Sequence, residues 1–179
     1  MPVDPTSVSI ERMFQRLNEL ERTGLIGRYA IGGAFAFIYY AEPFETSDID
    51  VFAQIPSEGA LISLAPIYEH LRKFGYHEED EHILIEGLPV QILPAASALV
   101  GEAIERATEI TVGREPAHIF TAEYAVAIAL KTNRAKDKMK ILHLLETAPV
   151  PLNRQELESI LSRHQLLDQW RKFEELSHG

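Results

Sequence analysis

The 179-residue chain contains no cysteine, which excludes disulfides, thiolate nucleophiles and Cys-based zinc sites. It has a single tryptophan and no apolar run of membrane-spanning length, and its N-terminus lacks a signal-peptide pattern. The expectation is a cytoplasmic protein with no membrane role. Positive charge is scarce: 17 Lys and Arg stand against 27 Asp and Glu, a formal net charge of −10. That balance argues against general DNA binding or any sequence-blind hold on a nucleic-acid backbone, while a local basic patch could still hold RNA as a substrate. The seven histidines show no His-x-x-x-His spacing and no other arrangement suited to zinc, and His77, His82, His118, His143 and His164 read as surface or core-edge residues. P-loop, dinucleotide fingerprint and Ser-His-Asp elbow are missing as well.

What is present is enough apolar material for a packed core, 46% of the chain. The length suits one domain, or one domain with a small helical appendage. Residues 8–23 carry Ile10, Met13, Phe14, Leu17 and Leu20 at helical spacing, with Ser7 or Ser9 as caps and Gly24 as the stop. A strand at 28–32, a helix at 33–41 and a strand at 48–54 follow. Leu61, Leu64, Ala65, Tyr68 and Leu71 predict a helix between Glu58 and Phe74, closed by Gly75. The acidic run from Tyr76 to His82 reads as a solvated loop or strand edge. Residues 82–85 and 89–93, turned at Glu86-Gly87, read as a hairpin. A helix at 95–107 and a strand at 109–112 end at Gly113.

The character changes near Arg114. Residues 121–145 read as helical, with a basic stretch from Lys131 to Lys140, and Pro149-Val150-Pro151 breaks the pattern. Asn153 with Glu156 forms a capping box for the next helix, and Leu166, Leu167, Trp170 and Phe173 mark a final one. The expected architecture is α/β (α+β): a small mixed sheet flanked by helices over residues 1–113, and a helical region over 114–179.

The informative stretch runs from Tyr29 to Phe52. A short apolar strand ends in Gly32-Gly33 and passes directly into a helix, and a later strand carries Asp48-Ile49-Asp50. Strand side chains alternate faces, so Asp48 and Asp50 share one face and Ile49 and Val51 the other. Paired carboxylates repel, but they suit a hard divalent cation such as Mg²⁺, which completes its shell with phosphate oxygens and water. The glycines let a phosphate approach the backbone at a helix start.

This constellation resembles the nucleotidyltransferase superfamily with the DNA polymerase β-like fold, and the Thr46 to Val51 segment looks most like its minimal, AbiEii-like branch, which includes toxins. The resemblance covers residues 28–145. It implies transfer of a nucleoside monophosphate from a nucleoside triphosphate, with one or two Mg²⁺ ions on Asp48 and Asp50. It implies triphosphate contacts from Gly32, Gly33, Thr46 and a catalytic Lys131, with Arg134 and Asp137 organising the substrate side. The acceptor could be a tRNA 3′ end, a protein hydroxyl or a small molecule, and a toxin role would bring an antitoxin partner. Lys140 departs from that branch, which often carries an acidic residue there.

Gln91 departs too. The third carboxylate of the superfamily lies on a later strand, and Val90-Gln91-Ile92-Leu93 stands in its place. Glutamine carries no charge and takes no proton from a hydroxyl. Either another base substitutes (Asp80, Glu81 and Glu86 lie nearby in sequence), or the chain binds a nucleotide or protein without turning it over. A purely structural role, in which the acidic surface docks a basic chain, is a third reading.

Overall fold

The computed structural model describes residues 5–57 and 61–177. The N-terminal amphipathic stretch folds as α1 (Pro5–Arg22), so Ser7 and Ser9, expected as caps, lie within the helix. Its buried Met13, Phe14, Leu17 and Leu20 face the sheet. Gly24, at φ +74°, ends the turn that follows. Then come β1 (Tyr29–Ile31), α2 (Gly33–Tyr40), β2 (Ile49–Ala53), α3 (Ala65–Arg72), β3 (His77–Glu79), β4 (His82–Ile85) and β5 (Leu88–Pro94). The chain continues through α4 (Ala98–Glu105), β6 (Thr108–Val112), β7 (Glu115–Ile119), α5 (Ala122–Thr132), α6 (Ala135–Thr147), α7 (Arg154–Arg163) and α8 (Leu167–Ser177).

Among the described residues, the strands form one seven-stranded mixed sheet in the order β3-β4-β5-β2-β1-β7-β6. β2 runs antiparallel to β1 and parallel to β5, and β1 runs parallel to β7. α1 packs on β5, β6 and β7, while α4 covers β1 and β2 from the other side and α5 joins α2, α4, α6, α7 and α8. Tyr29 and Ile31 belong to the α1 side, where the Tyr29 hydroxyl donates to Asn18 Oδ1 at 2.7 Å. Burial pushes that phenol's pKa up. On the α4 side Phe52 meets Phe120, ring centroids 5.0 Å apart.

Three elements differ from the sequence reading. Residues 115–119 form a strand, so the helical part begins after Ile119 rather than at Arg114. The helix expected from Glu58 begins at Ala65, because Pro66 fits only its first turn; Leu61 is 83% exposed, and Glu58 lies outside the described residues. The helical stretch 121–145 is two helices, divided where Asn133 takes the left-handed conformation (φ 54°) that closes α5. Asn153 caps α7 as expected, its Oδ1 accepting from the Glu156 amide at 3.1 Å, but the box is not closed, because the Asn153 amide donates to Glu123 Oε1 at 2.9 Å rather than to Glu156. Trp170 and Phe173 are buried and stack on each other.

Candidate active site

The site grows out of β2. Its burial alternates, with Ile49, Val51 and Ala53 fully buried and Asp50 and Phe52 on the opposite face. Asp48 precedes the strand on the same side as Asp50. Asp50 pairs in register with Gln91 of β5, and the Gly32 amide donates to the Asp50 carbonyl at 2.9 Å. Gly32-Gly33 and the acidic pair are therefore neighbours through the sheet ladder, across an intervening sequence of 14 residues (34 to 47).

The glycines have structural reasons of their own. Gly33 sits at φ +54°, and a Cβ there would overlap the Asp50 carboxylate. A Cβ on Gly32 would run into the rings of Phe52 and Phe120. Gly32 also leaves the start of α2 without a side-chain cap, so backbone donors remain at the helix end nearest Asp50. Gly33→Ala is expected to cost ~1–2 kcal/mol from the left-handed backbone alone, and more from displacing Asp50. At ~2–4 °C per kcal/mol for a chain of this size, a thermal melt should show a loss of at least several degrees.

Asp48 and Asp50 occupy different surroundings. Asp48 accepts from Ser47 Oγ at 3.2 Å, and its Oδ2 lies 3.5 Å from His82 Nε2. That His82 nitrogen is buried and has no hydrogen-bond partner among the described residues. The Asp50 pKa is raised by burial and then by the Asp48 charge, with Lys140, Arg134 and Lys136 pulling the other way. The basic start of α6 thus faces the acidic pair.

Asp137 organises that basic end. It is 2% exposed and accepts from Arg134 Nε at 2.7 Å, Arg134 Nη2 at 3.1 Å and Thr132 Oγ1 at 2.9 Å, with Lys140 Nζ 3.6 Å away. Burial alone would push the Asp137 carboxyl up, but these partners outweigh it and hold it below its ordinary range. Lys140, largely covered, heads the cations acting on Asp50. Lys131 is exposed on the last turn of α5. Thr46 Oγ1 reaches the Asp48 carbonyl at 3.5 Å, so it props the loop before the strand.

Sequence reasoning gave no site role to Ser47, to His82, read as a surface or core-edge residue, or to Lys140, read as a departure from the branch pattern. The signal for His82 was its place opening a strand antiparallel to the Gln91 strand, which sets it on the Asp50 face. The described residues contain no cluster of three or more Asp, Glu or His side chains arranged to hold a metal ion. The donor set here is two carboxylates, which fits a magnesium ion that draws the rest of its shell from phosphate and water.

No protein-family model matches the chain, and no curated protein matches it. Solved structures do. An antigenic nucleotidyltransferase-like protein from Paracoccidioides brasiliensis is similar over 95% of this chain and 91% of its own, with a TM-score of 0.55 and 16% identity. The antibiotic-resistance factor ANT(2″)-Ia in solution is similar over 97% of both chains, at 0.52 and 14%. Its crystal structure in complex with adenylyl-2″-tobramycin gives 0.52 and 15%, over 90% of this chain and 98% of the other. At these identities the likeness speaks for the fold: this chain has a nucleotidyltransferase fold.

Proposed function

We infer that the chain is a nucleotidyltransferase, moving a nucleoside monophosphate from a nucleoside triphosphate to an acceptor hydroxyl. The observation that carries this reading is one juxtaposition. Asp48, Asp50 and the uncapped start of α2 lie together at one end of β2, and the charges of Lys140, Arg134 and Lys136 act on Asp50 there. Asp48 and Asp50 would hold Mg²⁺, which supplies positive charge to the phosphate oxygens. Gly33 lets the Asp50 carboxylate lie against the backbone where the helix donors emerge. Lys140 and Arg134, tethered by the buried Asp137, offer fixed positive charge for the departing pyrophosphate without reorganisation during the reaction. Lys131, being exposed, is left to the outer phosphates or the acceptor.

The acceptor class stays open among RNA, protein and small hydroxylated molecules, because a shared fold does not choose between them. The toxin-type reading, with its antitoxin partner, rests on the sequence resemblance of residues 46–51. Gln91 favours a second reading, a nucleotide-binding module without turnover.

The test is pyrophosphate release from ATP, GTP, CTP and UTP with Mg²⁺, in the presence of tRNA, a protein mixture or an aminoglycoside. Release with one nucleotide, stimulated by one acceptor class, is the expected result. Nucleotide binding without release under every condition would select the binding module.

A further inference from the structure

We propose that Glu81 is the general base of the transfer, delivered to the site by Gln91; this rests on the nucleotidyltransferase reading. Transfer requires that the acceptor hydroxyl lose its proton as its oxygen attacks the α-phosphorus. The third superfamily position holds Gln91, whose amide takes no proton. Gln91 nonetheless pairs in register with Asp50 on the neighbouring parallel strand, so the two side chains leave the sheet on one face. Its Nε2 donates to Glu81 Oε2 at 3.3 Å. The amide therefore fixes a carboxylate one side chain further out than an Asp at position 91 would place it.

The other nearby carboxylates are engaged elsewhere. Glu86 lies at the opposite end of β4, where it accepts from the Tyr76 hydroxyl at 2.6 Å and meets Arg12 of α1 at 3.5 Å. Glu78 is paired with Arg72, and Glu79 with His77. Asp80 sits in the left-handed conformation (φ 54°) in the turn between β3 and β4. Glu81 is next to His82, whose ring reaches Asp48, so the segment that carries the base also touches the acidic pair. Its exposure leaves room for an acceptor to approach from solvent.

The step balances as an in-line displacement. Glu81 takes the proton from the acceptor O–H, and the oxygen's electron pair forms the new O–P bond. The bond from the α-phosphorus to the bridging oxygen breaks, and pyrophosphate leaves with that electron pair. Gln91 is a positioning residue, holding Glu81 through its N–H and adding no charge to the site.

The experiment measures steady-state pyrophosphate release from each of the four nucleotides with Mg²⁺, using tRNA, a protein mixture, an aminoglycoside and glycerol in turn as acceptors and water as background acceptor. It is run on wild type, Glu81→Gln, Glu81→Gln/Gln91→Glu and His82→Gln. Glu81→Gln should lower kcat by ~10²–10⁴-fold with KM for the nucleotide unchanged. Gln91→Glu in the same chain should restore most of that loss by returning a carboxylate to the Asp50 row. A Glu81→Gln variant with wild-type kcat, or one whose loss lies in KM, would overturn the assignment. Transfer that survives Glu81→Gln but vanishes in His82→Gln would overturn it too, and would pass the role to the histidine. Wild type releasing no pyrophosphate with any nucleotide would sink the underlying function and the base with it, which separates the two failures.

Discussion

Asp50→Asn is expected to raise the melting temperature of the metal-free protein while removing transfer. Burial lifts the Asp50 carboxyl above its ordinary value of 3.8, the Asp48 charge adds to that, and the cations of α6 offset only part of it. For an acid with a raised folded-state pKa, the ionised form costs stability. That cost is absent below the unfolded value of 3.8 and complete above the folded one. At neutral pH the uncharged amide escapes it with nearly the same shape. The catalytic loss should be at least on the order of 10²–10³-fold, the usual effect of removing one charge-stabilising group from a transition state. Thermal melts in a chelator, set beside pyrophosphate release with Mg²⁺, check both halves. A variant that melts below wild type without metal would mean that Asp50 serves the fold rather than a cation.

Glu102→Ala is expected to be the most destabilising single change to a half-exposed polar residue. Glu102 Oε1 accepts from the Tyr124 hydroxyl at 2.7 Å and from Arg163, and Oε2 meets His164 Nε2 at 2.7 Å. One carboxylate thus ties α4 to α5 and to the end of α7. Desolvation works against its ionised form, but the three hydrogen bonds prevail and lower its pKa from 4.5 to about 2. The Tyr124 phenol, desolvated and bonded to that carboxylate, is pushed up to about 12. Truncation strands the tyrosine hydroxyl and the largely buried imidazole, a cost of ~2–4 kcal/mol, or a fall of ~4–16 °C in Tm at this chain length. A depressed folded-state pKa gives stability that is present above 4.5 and is lost as pH falls toward about 2. Denaturant melts across that window should show wild type losing its advantage over Glu102→Ala. Parallel pH curves for the two proteins would remove Glu102 from that role.

Much of this was legible because it is local. Gly32-Gly33 and Asp48-x-Asp50 can be read from spacing, since a strand fixes which side chains share a face. The hairpin at Glu86-Gly87 and the Asn153 cap carry their own turn chemistry. The strand β7 was not legible, because Glu115-Pro116-Ala117-His118-Ile119 lacks β-branched alternation and contains a proline. Pro116 is tolerated because three-residue β1 meets β7 at Ile119, leaving Pro116 opposite Thr111 of β6 alone. The division at Asn133 was hidden by continuous helix-forming residues on both sides. The basic run could be seen in sequence, but which lysine turns toward Asp50 depends on that break. It separates α6 from α5, and Lys140, nine residues beyond Lys131, is the first of the cations whose charge acts on Asp50. His82 was hidden for a related reason, because its partner Asp48 lies 34 residues away and two strands over.

The central claim is that Asp48 and Asp50 form a cation-dependent nucleotide site. Calorimetric titration of the wild-type chain with ATP, GTP, CTP and UTP, each with and without Mg²⁺, tests it without knowledge of the acceptor. The expected result is saturable binding of at least one nucleotide that requires Mg²⁺ and is lost in Asp48→Asn/Asp50→Asn. Binding that ignores Mg²⁺ and survives the double substitution, or no binding of any of the four, would contradict it.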